Sequence, residues 1–265
     1  MNVIDTAAGY LGSEEAIGRA VADRRNEYVL VSKCGDASAT DGPSWSAPAI
    51  TQSIEQSLRR LQTDHVDVML LHSADLATLE RGEAVEALCR ARDAGKVRFA
   101  GYSGDNEAAV YAARLPDIAV IETSINLCDQ ANIEHVLPET RQHDVGVIAK
   151  RPLANAAWKD LSQQPGLYGS YAAVYTQRLA RMAIDLADFG IDGHAPDAWP
   201  SLALRFVLSQ PGVHTAIIGT THPEHARANI AAAAKGPLPD ATVARLRTAF
   251  RQAERASGEI WEGQV

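Results

Sequence analysis

The chain has 265 residues, 46% of them hydrophobic, and this length fits one large α/β barrel domain, which we expect to span residues 1–265. Its formal net charge of −8 and its lack of a basic tract argue against nucleic acid and against an anionic membrane surface as partners. The sequence shows no leader-like segment and no apolar run of membrane length, and its three cysteines are scattered, so we expect a soluble cytoplasmic protein.

Short β-branched runs alternate with longer helical patterns along the whole chain. Strands are predicted at residues 3–5, 28–33, 66–72, 97–102, 118–121, 145–149 and 213–218. Helices are predicted at residues 13–22, 50–61, 76–94, 106–115, 133–143, 175–188, 199–209, 223–234 and 240–256. Ser13 and Asp105 are predicted N-caps, and Gly95 is a predicted C-terminal signal. This alternation is typical of right-handed, parallel β/α repeats.

Three consecutive predicted strands end in a polar side chain. The first ends at Asp5, the second at Lys33 and the third at His72, while Tyr10 lies in the first loop. Because the carboxyl ends of parallel strands line one face of the protein, we expect these side chains to lie together. A lysine beside a tyrosine stabilises the phenolate and lowers the tyrosine pKa from about 10, and a carboxylate keeps the lysine charged. With a histidine to bind the substrate oxygen, this set suits protonation of a carbonyl as hydride arrives.

Each of these residues also has a purely structural interpretation. An aspartate at a strand end often caps a helix, a histidine after an apolar run is commonly a hydrogen-bonded structural residue, and a lysine near glycine is usually solvated. These interpretations are favoured for any single residue. The occurrence of all four together at adjacent strand ends favours a catalytic site.

Short motifs at these strand ends resemble a known family. They occur in the order Asp5-Thr6-Ala7 with Tyr10, Ser13-Glu14, Ser32-Lys33 and Leu70-Leu71-His72. In their order and spacing, from Asn2 to about Leu246, the chain resembles an aldo-keto reductase. The resemblance implies a catalytic tetrad formed by Asp5, Tyr10, Lys33 and His72.

The predicted strands number seven, whereas a closed barrel of this kind has eight. Met1 directly precedes the first strand, and the resemblance implies one more strand and helix ahead of Asp5. The expected fold is therefore a TIM-type (β/α)8 barrel that lacks its first β/α unit. A late start codon or a truncated chain would explain the shortfall, and so would a natural open barrel. In an open barrel, we expect a loop or a second copy of the chain, as a homo-oligomer, to cover the exposed strand edges.

The last predicted strand leads into a glycine turn and a helix start, over residues 216–224. Thr221 and Glu224 have the spacing of a capping box, and backbone N–H groups with the helix dipole suit a phosphate. An ordinary capped helix explains the same pattern. The resemblance favours the phosphate, since it implies that the adenosine 2′-phosphate and adenine are held after the turn at Gly219 by Thr220, Thr221, His225 and Asn229.

The same helix start departs from the family pattern. His225 stands where many members have arginine, and Ala228 stands where many have glutamate. NADP(H) is the predicted cofactor. Because histidine is a weaker cation than arginine, NAD(H) stays open as the alternative. His222 with His225 also resembles a metal pair, but no third ligand is apparent and no metal is predicted.

The expected nicotinamide contacts differ from the family pattern as well. Ser103 matches the serine that bonds the carboxamide, but Gly104 follows it where asparagine is common. Glu122 stands where glutamine is common.

Residues after the sixth predicted strand complete the cofactor prediction. Lys150 stands where an aromatic residue often stacks on the nicotinamide ring. The resemblance implies that Arg151 and Leu153 line the path of the pyrophosphate. A surface charge and a core residue are the structural interpretations of these two side chains.

We therefore predict an NAD(P)H-dependent reductase that converts a small aldehyde or ketone to an alcohol. Tyr10 would protonate the carbonyl oxygen, and Lys33 paired with Asp5 would tune Tyr10. His72 would orient the oxygen.

Two alternatives stay open: a non-catalytic cofactor-binding or regulatory barrel, and a truncated, inactive member. The substrate itself depends on loops that vary freely on this fold, at residues 34–48 and 155–197. Trp45 in the first of these loops either reaches the substrate or packs down onto the protein.

Overall fold

The computed structural model describes residues 2–35, 44–160, 162, 164 and 169–264. The chain divides into two compact units. Within the described residues, the first comprises 2–123 and 139–147, and the second comprises 124–138 and 148–264. Most of the loop predicted at 34–48 lies outside the described residues, as do several positions of the loop predicted at 155–197.

Strands and helices alternate through the described residues. The strands are β1 (Val3–Asp5), β2 (Val29–Cys34), β3 (Val66–His72), β4 (Val97–Ser103), β5 (Val120–Ser124), β6 (Gly146–Lys150) and β7 (Thr215–Ala216). The helices are α1 (Ser13–Val21), α2 (Ala47–Leu61), α3 (Leu76–Arg81), α4 (Glu83–Asp93), α5 (Asn106–Ala113), α6 (Ala131–Gln142), α7 (Gly169–Met182), α8 (Ala198–Leu208), α9 (Pro223–Ala234) and α10 (Asp240–Ser257). Among the described helices, none combines the length and the hydropathy needed to cross a bilayer.

The first unit is built on a parallel sheet in which β1 to β5 pair in chain order. The register places His72 beside Ser103 and Ser103 beside Glu122, so the carboxyl ends of β3, β4 and β5 form one row. Lys33 on β2 nevertheless lies within ion-pair distance of Glu122 on β5, 3.4 Å between Nζ and Oε2. Because β2 and β5 are not neighbours, this contact shows that the sheet curls.

The core of the first unit follows from its apolar patterns. The strands β2 and β3 are buried along nearly their whole length, as expected of strands covered on both faces. The predicted stripe on α2 is confirmed, because all of its members are buried: Ile50, Ile54, Leu58 and Leu61. Each such side chain contributes roughly 1.5–3 kcal/mol by leaving water, so this face holds α2 in place.

The second unit contains the carboxyl end of β6 and the short strand β7, which pair in parallel through Ile148 with Thr215 and Ala149 with Ala216. Near the chain end, Trp261 is buried and its ring meets Phe250 edge-on at 5.1 Å between centroids. Met182 of α7 and Ala253 of α10 belong to the same cluster.

Several predicted boundaries and caps are wrong. The single helix predicted at 76–94 is two helices, because Gly82 between α3 and α4 adopts a left-handed φ of 77°. The N-cap of α1 is Gly12, not Ser13, whose hydroxyl instead accepts a hydrogen bond from Thr6. Asp105 occupies the N-cap position of α5 but makes no capping hydrogen bond, since its Oδ1 accepts from the Thr123 hydroxyl at 2.8 Å.

Candidate active site

Lys33, at the end of β2, is the centre of the predicted tetrad. Its side chain is fully buried, and its ammonium donates to both carboxylate oxygens of Asp5 at 2.8 and 2.5 Å and to the Thr6 carbonyl at 3.1 Å. Burial alone would lower the lysine pKa, but the negative charges of Glu122 and Asp5 outweigh burial and raise the pKa overall. Lys33 therefore stays a cation.

Tyr10 lies in the loop between β1 and α1. Backbone hydrogen bonds tie this loop to the neighbouring strand, from Thr6 N–H to the Val31 carbonyl at 3.0 Å and from Ala8 N–H to the Lys33 carbonyl at 3.1 Å. The Lys33 ammonium stands 5.2 Å from the centroid of the Tyr10 ring, within cation–π range. Tyr10 is still 37% exposed, although the ammonium beside it is buried.

His72 completes the group at the end of β3. Its ring meets the Tyr10 ring edge-on, with 5.7 Å between centroids. The next residue, Ser73, adopts a left-handed φ of 60° and donates its N–H to the Ser103 carbonyl at 2.8 Å, which turns the chain away after the histidine. The structure thus brings the four predicted catalytic side chains together within the first unit.

Glu122 is a second carboxylate beside Lys33. It is 2% exposed, its Oε1 accepts from the Ser103 hydroxyl at 3.2 Å, and its Oε2 lies 3.4 Å from the Lys33 ammonium. Burial, and then the like charge of Glu122, raise the pKa of Asp5 to about 8, against the opposing effect of Lys33. One buried ammonium therefore faces two carboxyl groups.

Tyr102 is a site residue that sequence reasoning missed. A Cβ atom at Gly104 would lie 2.1 Å from the Tyr102 hydroxyl oxygen, so the phenol fills the space that a side chain at 104 needs. Tyr102 is buried and donates to the Ala74 carbonyl at 2.8 Å, in the loop that follows His72. The sequence signal is the i, i+2 spacing, because extended chain puts two residues so spaced on one side, here at the end of β4.

Trp45 was predicted either to reach substrate or to pack down. Its ring lies against Gly35, where an added Cβ would be 2.2 Å from the ring atom Cζ3. Gly35 also has a left-handed φ of 92°. Both this backbone conformation and the lack of space for a Cβ atom therefore favour glycine directly after β2.

Arg151 of the second unit holds the end of the chain. It has a left-handed φ of 56°, and its Nη1 donates to the Ser124 hydroxyl at 3.0 Å and to the Gln264 carbonyl. Arg178 adds a bond to the Glu262 carbonyl at 3.0 Å. Lys150 beside Arg151 is buried, and Leu153 is half-buried.

The predicted adenosine residues lie around the start of α9. The predicted capping box is wrong: Pro223 takes the first helical position, His222 is the N-cap, and no side chain caps the helix. The Thr220 hydroxyl instead accepts from the His222 N–H at 3.1 Å. Gly219, Thr220, Thr221 and His225 are exposed, and Asn229 is half-buried.

Two histidine rings stand together at this helix start. The rings of His222 and His225 are 4.9 Å apart, and His222 Nδ1 lies 3.1 Å from the Glu224 carboxylate. Within the described residues, no group of three or more histidine, cysteine, aspartate or glutamate side chains is arranged to hold a metal ion.

A model described as the Aldo/keto reductase family matches residues 1–250. The chain is 28% identical to the oxidoreductase YqkF of Bacillus subtilis over 265 residues, covering 95% of this chain and 84% of that protein.

Solved structures of aldo-keto reductases are also similar to this chain. An aldo-keto reductase from Bacillus halodurans in its holo form has a TM-score of 0.76 and 25% identity, over 94% of this chain and 82% of that one. An aldo-keto reductase from Klebsiella pneumoniae in complex with NADPH has a TM-score of 0.68 and 30% identity, over 100% of this chain and 84% of that one. The predicted fold class, a barrel of β/α repeats with seven strands described, is confirmed.

Proposed function

The chain belongs to the aldo/keto reductase family of oxidoreductases, and we propose that it reduces aldehydes or ketones to alcohols with NAD(P)H as the hydride donor. One observation carries the proposal. The accessible phenol of Tyr10 stands beside the buried ammonium of Lys33, which is itself fixed by both oxygens of Asp5. This arrangement stabilises a phenolate while leaving the hydroxyl open to a substrate oxygen.

In the proposed reaction, a nicotinamide held by these residues would supply the hydride that the carbonyl carbon accepts. Tyr10 gives its proton to the carbonyl oxygen, so the product is the alcohol and the tyrosine is left as a phenolate. Lys33 stabilises that phenolate, and His72 orients the oxygen by a hydrogen bond. The phenolate then regains a proton from water, which its exposure permits.

The residues proposed for the nicotinamide suit a carboxamide. Such a group has one acceptor oxygen and one donor nitrogen, which match the Ser103 hydroxyl and the Glu122 carboxylate. Both side chains are buried at strand ends in the first unit, and the Ser103 hydroxyl donates to Glu122 Oε1 at 3.2 Å.

The residues proposed for the phosphates belong to the second unit. The N-terminus of α9, a helix of 12 residues, lacks a side-chain cap, and its dipole favours an anion at this end of the helix. We propose Gly219, Thr220, Thr221, His225 and Asn229 for the adenosine end, and Arg151 and Leu153 for the path of the pyrophosphate. Lys150, also of the second unit, is proposed for the position where an aromatic residue often stacks on the nicotinamide ring. NADPH is the proposed preference, and NADH is the alternative because His225 replaces a permanent cation.

Titration with NADPH and NADH tests the proposal first. Intrinsic fluorescence reports binding through the tryptophans Trp45, Trp158, Trp199 and Trp261. Carbonyl compounds are then screened by loss of the reduced cofactor's absorbance, with Tyr10→Phe as the control. We expect Tyr10→Phe to keep cofactor affinity and to lose turnover by roughly 10²–10⁴-fold. Turnover at the native rate in this variant would overturn the assignment of Tyr10.

A second candidate is a non-catalytic cofactor-binding protein. It is favoured by the altered nicotinamide residues Gly104 and Glu122. Saturable cofactor binding without reduction of any carbonyl compound would support this candidate over the reductase.

A further inference from the structure

Glu122 stands too close to the catalytic ion pair to act on the cofactor alone. We propose that Glu122 and Asp5 share one proton beside Lys33 in the resting protein, and that Glu122 is a positioning residue that sets the charge next to Tyr10. Both carboxyl groups face the same buried ammonium within the first unit. Its effect on turnover rests on the proposed function.

Within the described residues, the Lys33 ammonium donates its hydrogen bonds to groups other than Glu122. Its three N–H groups are directed to the two oxygens of Asp5 and to the Thr6 carbonyl. Glu122 Oε2, 3.4 Å from the nitrogen, is buried and has no hydrogen-bond partner in the described part of the chain. A buried, ionised oxygen without a hydrogen bond destabilises the folded protein, because a buried charge needs hydrogen bonds as well as a counterion.

The charge balance leads to the same conclusion. With Lys33 positive and both carboxyl groups ionised, the buried cluster carries one net negative charge, whereas one proton makes it neutral. Two carboxyl groups close together cannot both ionise easily away from water. The raised pKa of Asp5 fits this balance, and the proton belongs to the pair rather than to either residue.

Neighbouring groups from each strand complete the cluster's surroundings. Among the described residues, Lys33 from β2 contacts both carboxyl groups, Tyr10 from the first loop lies beside Lys33, and β4 contributes the neutral Ser103. His72 from β3 contacts the Tyr10 ring. Since Lys33 stays positive, a change in the pair's protonation directly changes the potential at Tyr10.

This potential governs how readily Tyr10 gives up its proton. While the pair holds its proton, the charge of one carboxylate is balanced by Lys33, and the phenolate is stabilised. When the pair releases the proton to water, the extra negative charge disfavours the phenolate and makes Tyr10 a weaker acid. Carbonyl reduction should therefore slow as the pH rises past the ionisation of the pair.

Infrared spectroscopy tests the shared proton without any need for turnover. At pH 7 we expect the native protein to show the C=O stretch of a protonated carboxyl group that is missing from Glu122→Gln. The matched control is Glu14→Gln, the same change at a buried carboxylate that accepts instead from Ser32 at 2.7 Å and from Arg60 at 3.4 Å. Glu14→Gln should keep the band. Absence of the band from the native protein, or its persistence in Glu122→Gln, would overturn the inference.

Ultraviolet titration tests the positioning role. The phenolate absorbance of Tyr10, taken as the difference from Tyr10→Phe in each background, should develop at lower pH in Glu122→Gln than in the native protein. Where a carbonyl substrate is turned over, the native rate of reduction should decline with rising pH before Tyr10 itself ionises, and Glu122→Gln should lack this early decline. Unchanged titration in Glu122→Gln would refute the role. Failure to reduce any carbonyl would instead refute the proposed function, since neither spectroscopic result depends on turnover.

Discussion

The phenol of Tyr102 occupies the space beside Gly104, where a Cβ atom would lie 2.1 Å from its hydroxyl oxygen. The glycine that seemed to be a lost nicotinamide contact is therefore also a packing requirement. Because the Tyr102 hydroxyl donates to the Ala74 carbonyl, the pair also fixes the chain just after His72.

Replacement of Gly104 by alanine should destabilise the protein. The added methyl group meets a buried, hydrogen-bonded ring that cannot swing away, and such overpacking costs about 1–3 kcal/mol. Urea unfolding measures the loss. Gly193→Ala is the control, because its Cβ would meet only a Leu186 methyl group at 3.9 Å. In a Tyr102→Val background, the cost of Gly104→Ala should shrink, and an undiminished cost would show that the clash lies elsewhere.

Asp5 should make stability depend on pH in a defined direction. Its pKa is raised from 3.8 to about 8 in the folded protein, so the folded state keeps a proton that the unfolded chain has lost. The contribution of this group to stability is fully present below pH about 4 and is lost as the pH rises through about 8, by up to about 1.4 kcal/mol per pH unit. Unfolding free energies measured from pH 5 to 8 should therefore fall more steeply in the native protein than in Asp5→Asn. Parallel curves would contradict the raised pKa.

Trp261 should anchor the end of the chain to the second unit. Its buried ring packs on Phe250, and the Arg178 guanidinium lies 5.3 Å from its centroid. Trp261→Ala should lower the free energy of unfolding by about 3–5 kcal/mol, because it removes a large side chain and leaves a cavity. The neighbouring Ile260 is 85% exposed, so Ile260→Ala should change stability by less than about 0.5 kcal/mol. Equal effects of the two changes would mean that the tail is not docked in solution.

Much of the candidate site could be predicted because it depends on one rule. Polar residues at the carboxyl ends of consecutive parallel strands meet on one face, and this rule grouped Asp5, Lys33 and His72 correctly. The contact of Lys33 with Glu122 could not be predicted in the same way. It joins strands that are not neighbours, so it depends on the curl of the sheet rather than on any sequence spacing.

Helix ends and chain ends were harder to predict. The apolar pattern continues across Gly82, so periodicity gave one helix where the backbone makes two. The spacing of Thr221 and Glu224 predicted a capping box, but α9 begins at Pro223, whose fixed φ suits the first helical position. The docking of Trp261 left no periodic signal, because a single aromatic residue in a terminal segment has no pattern around it.

His225 should limit the preference for NADPH, and this can be tested by supplying the cation that many family members have. An arginine can bind a phosphate through two parallel hydrogen bonds and stays charged at every relevant pH, whereas a histidine does neither. We expect His225→Arg to tighten NADPH binding by about tenfold at low salt and to leave NADH binding unchanged, as measured by fluorescence titration. Ala234→Arg adds the same charge at the opposite end of the exposed surface of α9 and should not discriminate between the two cofactors. If His225→Arg tightened both cofactors equally, the added charge would be acting through general attraction, and residue 225 would not contact the 2′-phosphate.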